Sequence, residues 1–85
     1  MKLLAVEYDN DEAVSFFVLD GDTYKSVKST KGGGTRIYAT WPKANYRDYE
    51  HFVGVMGKFI PEVFFFSDPK EVQGMAYEDI HGVSQ

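Results

Sequence analysis

Six cations, Lys25, Lys28, Lys31, Arg36, Lys43 and Arg47, stand in one stretch between Asp22 and Asp48 that holds no acidic residue. Tyr24, Tyr38, Trp41 and Tyr46 are interleaved with them, and Gly32-Gly33-Gly34 lies near the middle. This mixture suits a polyanion that carries unpaired bases. Ammonium and guanidinium groups neutralise phosphates, while Tyr, Trp and Arg offer planes on which bases stack. Glycines let backbone amides approach a phosphate closely. The candidate nucleic-acid contacts are therefore Tyr24, Lys25, Lys28, Lys31, Gly32, Gly33, Gly34, Arg36, Tyr38, Lys43 and Arg47. The chain as a whole carries a net charge of -4. Residues 23–47 hold six of its nine basic residues and none of its thirteen acids, so a +6 segment rides on a -10 remainder. Charges act over a Debye length, ~8 Å at physiological salt, so distant acids weaken the patch without cancelling it. They favour a composite surface shared with a partner.

Strand and turn signals place most of these residues on a hairpin. Residues 2–8 and 13–19 are apolar runs separated by Asp9-Asn10-Asp11-Glu12 and read as two antiparallel strands. Asp20-Gly21-Asp22 supplies a tight turn. Residues 23–30 and 35–41 then flank the three glycines as a second hairpin. A Gly32-Gly33-Gly34 loop pairs Lys31 with Thr35 and puts Val27, Ala39, Ser29, Ile37, Lys25 and Trp41 on one side. Lys28, Tyr38, Thr30, Arg36, Ser26 and Thr40 share the other side, with Tyr24 nearby. The first side is apolar enough to meet helices, and the second has the chemistry of a nucleic-acid face. The plainer alternative is a solvated sheet surface, where Lys, Thr and Tyr are common because they suit exposed strands and resist edge pairing.

After Pro42, Asn45 can cap a helix over 46–59 with Asp48 in its first turn. Tyr49, Phe52, Val53, Met56 and Ile60 form its buried stripe, and Pro61 stops it. Glu62 to Phe66 reads as a fifth strand, buried on both faces. Asp68-Pro69-Lys70-Glu71 has the pattern that opens a second helix, with Val72, Met75, Ala76 and Ile80 facing the core and Gly82 ending it. The tail 83–85 reads as loose. The expected fold class is α+β: an antiparallel meander of four to five strands with two helices covering one face, in one small domain over residues 1–85.

Other chemistry is thinly represented. His51 and His81 could form an acid–base pair with Lys58 or Lys70, but each sits where a structural role suffices. Asp9, Asp11 and Glu12 resemble the start of a calcium loop, yet Val14 stands where the sharp turn needs glycine. Gly57-Lys58 is followed by Phe59 rather than Ser or Thr, so it is no phosphate loop. Gly54-Val55-Met56-Gly57 has a clamp-like outline but lies within the helical pattern. Phe16-Phe17 and Phe64-Phe65-Phe66 read as core, and any excess apolar surface points to a homodimer or a protein partner.

The 85 residues suffice for one core, and the 16% aromatic content argues against disorder. With no cysteine there is no disulfide framework, thiolate site or thiol nucleophile, as suits a reducing cytoplasm. No run is long enough to span a membrane, and Met1 to Val6 is too short for a signal segment. No catalytic residue, metal site or cofactor is expected. In length and charge layout the chain resembles small phage-encoded host-takeover or counter-defence proteins, including toxin inhibitors of the TifA type. That resemblance implies a non-enzymatic inhibitor of a host toxin or defence nuclease that binds RNA and acts in the host cytoplasm. The alternative is a protein-only inhibitor or adaptor, dimeric and without nucleic-acid contact.

Overall fold

Alternation and tight turns put residues 2–42 into four antiparallel strands: β1 (Lys2–Asp9), β2 (Ala13–Asp20), β3 (Thr23–Thr30) and β4 (Thr35–Pro42). The computed structural model describes residues 1–84, so Gln85 of the expected loose tail lies outside the described residues. Asn10 makes the first turn by accepting the Glu12 and Ala13 amides on Oδ1 at 2.8 and 3.0 Å. Gly21 makes the second at φ +59°, a left-handed conformation that glycine adopts without strain. A fifth strand, β5 (Lys70–Glu71), pairs with the start of β1 and completes an antiparallel sheet of order β4-β3-β2-β1-β5. The class is α+β, as the sequence suggests.

β2 explains where the helices go. It is buried from Ala13 to Val18, so both its faces must be covered. Val14, Phe16 and Val18 join Leu3, Val27, Val72, Tyr77 and Ile80 on one face. Phe17 joins Leu4, Ala5, Tyr24, Phe52, Met56 and Val63 on the other. Helix α1 (Tyr49–Phe59) supplies Phe52 and Met56 to the second face, and the four-residue helix α2 (Tyr77–Ile80) packs on the first. The expected two helices on one face therefore become one helix on each.

The segment between the helices makes this possible. Residues 62–66 do not form the expected doubly buried strand: Val63 is buried in the α1-side core while Phe64 is 83% exposed. Phe66 donates its amide to the Leu4 carbonyl at 2.7 Å and packs on the opposite core. The chain thus wraps the β1 edge from one face to the other. Tyr49 secures the crossing with a 2.7 Å hydrogen bond from its hydroxyl to the Phe66 carbonyl. Burial, with the neighbouring Tyr24 adding to it, pushes that phenol up to about 12.

Both helix starts differ from expectation. Residues 43–45 form a single 3₁₀ turn, and Asp48 rather than Asn45 caps α1 by accepting the His51 amide at 2.8 Å. His51 Nδ1 reciprocates by accepting the Arg47 amide at 3.0 Å. A carboxylate at the cap also complements the positive end of the helix. Lys70 and Glu71 do not open a helix, because they supply the partner that β1 lacks. Glu71 holds the Lys2 ammonium at 3.2 Å and the terminal ammonium at 3.3 Å.

The C-terminal turn is tied down, contrary to a loose tail. Asp9 accepts the Gly82 amide at 2.8 Å and contacts His81 Nδ1 at 2.6 Å, while the Tyr77 ring stacks on His81. Val83 packs against the core and donates its amide to Ile80. Burial raises the Asp9 carboxyl, but the Gly82 amide and His81 outweigh it and hold the group below its ordinary value.

Two stability predictions follow from these contacts. Phe52 is fully buried and stacks on Tyr24 at 3.7 Å, so Phe52→Ala should cost ~3–5 kcal/mol in urea unfolding. A loss below about 1 kcal/mol would mean that α1 does not rest on this contact. Asp9, with its folded value depressed, stabilises fully above the unfolded carboxylate value of about 3.9, and the contribution disappears as pH falls through the lower folded value. Asp9→Asn should therefore lower stability at neutral pH and flatten the acid limb of a pH–stability curve. An unchanged acid limb would remove the clasp as its cause.

Candidate nucleic-acid interface

The β3–β4 hairpin turns at Lys31-Gly32-Gly33, one residue earlier than a loop of three glycines would. Ser29 pairs with Thr35, Lys28 with Arg36 and Val27 with Ile37. Gly32 takes φ +71°, and the Thr30 and Gly34 backbones bond across the turn at 3.2 Å. Beyond Ile37 the ladder skips Tyr38, so that Ser26 pairs with Ala39, Lys25 with Thr40 and Tyr24 with Trp41. Near the tip the register is two residues from the expected one, which preserves the faces. Past the bulge it differs by one, which turns Ala39 and Trp41 over.

This register separates the candidate residues. Lys28 and Arg36 are direct cross-strand neighbours, and with Thr30, Gly34, Thr35 and Tyr38 they line an open groove of about 440 Å³. Tyr38 is 57% exposed at its rim. Lys31, Gly32 and Gly33 are exposed at the adjoining tip. Neither Lys28, Lys31 nor Arg36 forms a salt bridge among the described residues. The Lys31 amide is not free for a phosphate, since it donates to the Glu12 carbonyl at 2.8 Å.

The other candidates leave the groove. Tyr24 is 1% exposed and lies between the β-sheet and Phe52, so it offers no plane to a base. Lys25 projects from the opposite face of β3 and pairs with Asp20 at 2.9 Å. Lys43 and Arg47 lie beyond the other end of the hairpin, in a depression they share with Asp22, Tyr46 and Asp48. Eight strand residues at ~3.3 Å each separate that end from the tip. Of the six cations, Lys28 and Arg36 share the groove and Lys31 stands at the adjoining tip, while the other three lie elsewhere.

The face of Lys28 continues across the sheet. Ser15 is its β2 neighbour and donates to Glu7 Oε1 at 3.0 Å, so a carboxylate stands two strands away. On the same face towards α1, Phe17, Ser26, Trp41, Tyr46, Val55, Met56, Phe59 and Ile60 line an apolar cleft of about 410 Å³. Phe17 is buried in the core, as the sequence suggests, whereas Val55 and Phe59 lie outside the helix stripe read from it and went unmarked. The signal was the apolar run of β2, which demanded cover on both sides and more area than an eleven-residue helix supplies.

The two histidines stay apart. His51 is in α1 and His81 follows α2, on opposite faces of the sheet. Of Asp9, Asp11 and Glu12, Asp9 is committed to the C-terminal turn through His81 and Gly82. No group of three or more potential metal-ligating side chains gathers among the described residues, and no described helix is long and apolar enough to cross a membrane. No protein-family model, curated protein or solved structure matches the chain.

Like charges directly opposite one another on neighbouring strands are destabilising. Lys28→Thr should therefore raise stability by ~0.2–1 kcal/mol at low ionic strength, and the gain should shrink in high salt. Urea titrations at two salt concentrations read this directly. A salt-independent loss would instead show that Lys28 serves the fold by packing.

Proposed function

We propose that the chain is a small non-enzymatic protein that binds RNA or another single-stranded nucleic acid through the hairpin groove. The observation that carries this reading is the Lys28–Arg36 pair. Two cations sit opposite one another with no salt-bridge partner among the described residues and face a groove rimmed by Tyr38 and Thr30. An arrangement that costs stability in the free protein is relieved by a phosphate placed between the two charges. Tyr38 adds an aromatic plane beside that phosphate. The contacts proposed are Lys28, Lys31, Arg36 and Tyr38, fewer than the charge layout of the chain suggests.

The resemblance in size and charge layout to phage-encoded toxin inhibitors supplies a setting. In that setting the protein inhibits a host toxin or defence nuclease in the host cytoplasm, with RNA bridging inhibitor and target. A second reading, a protein-only inhibitor or adaptor, is favoured by Phe59 and Phe64, which are 76% and 83% exposed. A partner captured from cells that survives ribonuclease treatment would mark that reading, and one lost with the RNA would mark the first.

Changing Lys28, Lys31 and Arg36 together to Ala should abolish retention of single-stranded RNA in a filter-binding assay, with circular dichroism unchanged. For the intact protein, three neutralised phosphates correspond to a slope of about -2 in log affinity against log salt on a single strand. Unchanged affinity in the triple variant, or a flat salt response, would exclude the groove as the binding surface.

A further inference from the structure

The cationic groove and the apolar cleft are neighbours on one face. Side chains at alternate positions of β3 point the same way, so Tyr24, Ser26, Lys28 and Thr30 form one row. Tyr24 lies under α1, Ser26 floors the cleft, and Lys28 and Thr30 line the groove. The step from Ser26 to Lys28 is only ~7 Å. Across the row, the bulge brings Tyr38 to the groove while Trp41 lies in the cleft. An apolar, aromatic recess therefore opens beside a pair of cations without a salt-bridge partner among the described residues.

We infer that this cleft is a nucleobase pocket: it takes one unstacked base of a bound single strand while Lys28 and Arg36 hold the adjoining phosphate. The inference rests on the nucleic-acid reading above and specifies the strand. Continuity with the cationic groove selects the occupant, because the ligand must be anionic at one end and flat and apolar at the other. The cleft volume of about 410 Å³ falls within the range of small-molecule pockets. Its walls are suited to a ring. The Trp41 indole lies 6.3 Å from Phe17 at a small interplanar angle, and Phe59 is 76% exposed at the cleft. A duplex keeps its bases stacked and paired, so it can reach the cations but not the cleft.

Trp41 is the only tryptophan of the chain and stands in the cleft wall, so its emission reports occupancy. The test titrates the full chain with a short single-stranded oligoadenylate, with a duplex of the same length and with inorganic polyphosphate. Affinity is followed by anisotropy of a labelled oligonucleotide. The single strand should quench Trp41, whereas polyphosphate should displace the oligonucleotide yet leave the emission of the free protein unchanged. Phe59→Ala, at an exposed position, should weaken the single strand roughly five- to a hundredfold, the range of one base–aromatic stack. Its affinity for polyphosphate should stay as it was. Salt-dependent binding of the single strand with no change in Trp41 emission and no effect of Phe59→Ala would overturn the pocket and leave the groove standing. No binding of the single strand at all would overturn both.

Discussion

The stack of Phe52 on Tyr24 decides which part of the sheet is covered. The two rings lie 3.7 Å apart and nearly parallel, and Trp41, Tyr46 and Phe65 meet Phe52 edge-on around them. Aromatic contacts of this kind add to the area they bury, so α1 is anchored at the Tyr24–Trp41 end of the β3–β4 hairpin. Eleven residues of helix at 1.5 Å each cannot reach the tip as well. The open groove is the part of the face that this anchoring leaves uncovered, and the cleft lies where α1 meets the sheet beside it.

Charge follows the same division. Acids in this protein are largely spoken for where they touch the fold: Asp9 clasps the C-terminal turn, Glu71 gathers two ammonium groups, Asp48 caps α1 and Asp20 neutralises Lys25. The cations at the hairpin tip have no such partner among the described residues. A net charge of -4 therefore coexists with cations at the hairpin tip that have no salt-bridge partner among the described residues, although Glu12 adjoins Lys31 there.

Much of the sheet was readable from the chain because β1 to β4 combine apolar runs with Asn and Gly at the turns, which specify local geometry. What could not be read was non-local. Lys70 and Glu71 carry good helix-start chemistry after Asp68-Pro69, but the unpaired edge of β1 needed hydrogen-bond partners, and satisfying backbone groups outweighs a modest capping preference. The register of β4 depended on a bulge that no residue type announces. Its consequence reached the candidate site: Tyr24 and Trp41 became cross-strand neighbours under α1, whereas the cations nearest the tip kept the face expected of them. Lys43 and Arg47 were close to these cations in sequence only, since the strand carries them to the opposite end of the hairpin.

Tyr38 has an unusual standing in this ladder. Ile37 and Ala39 pair with the consecutive residues Val27 and Ser26, so no residue of β3 is left to face Tyr38. It is supernumerary to the hairpin. Joining Ile37 directly to Ala39 would keep every other cross-strand partner and would heal the interruption that Tyr38 creates. The sheet thus carries at the rim of its cationic groove an aromatic residue without a cross-strand partner in β3.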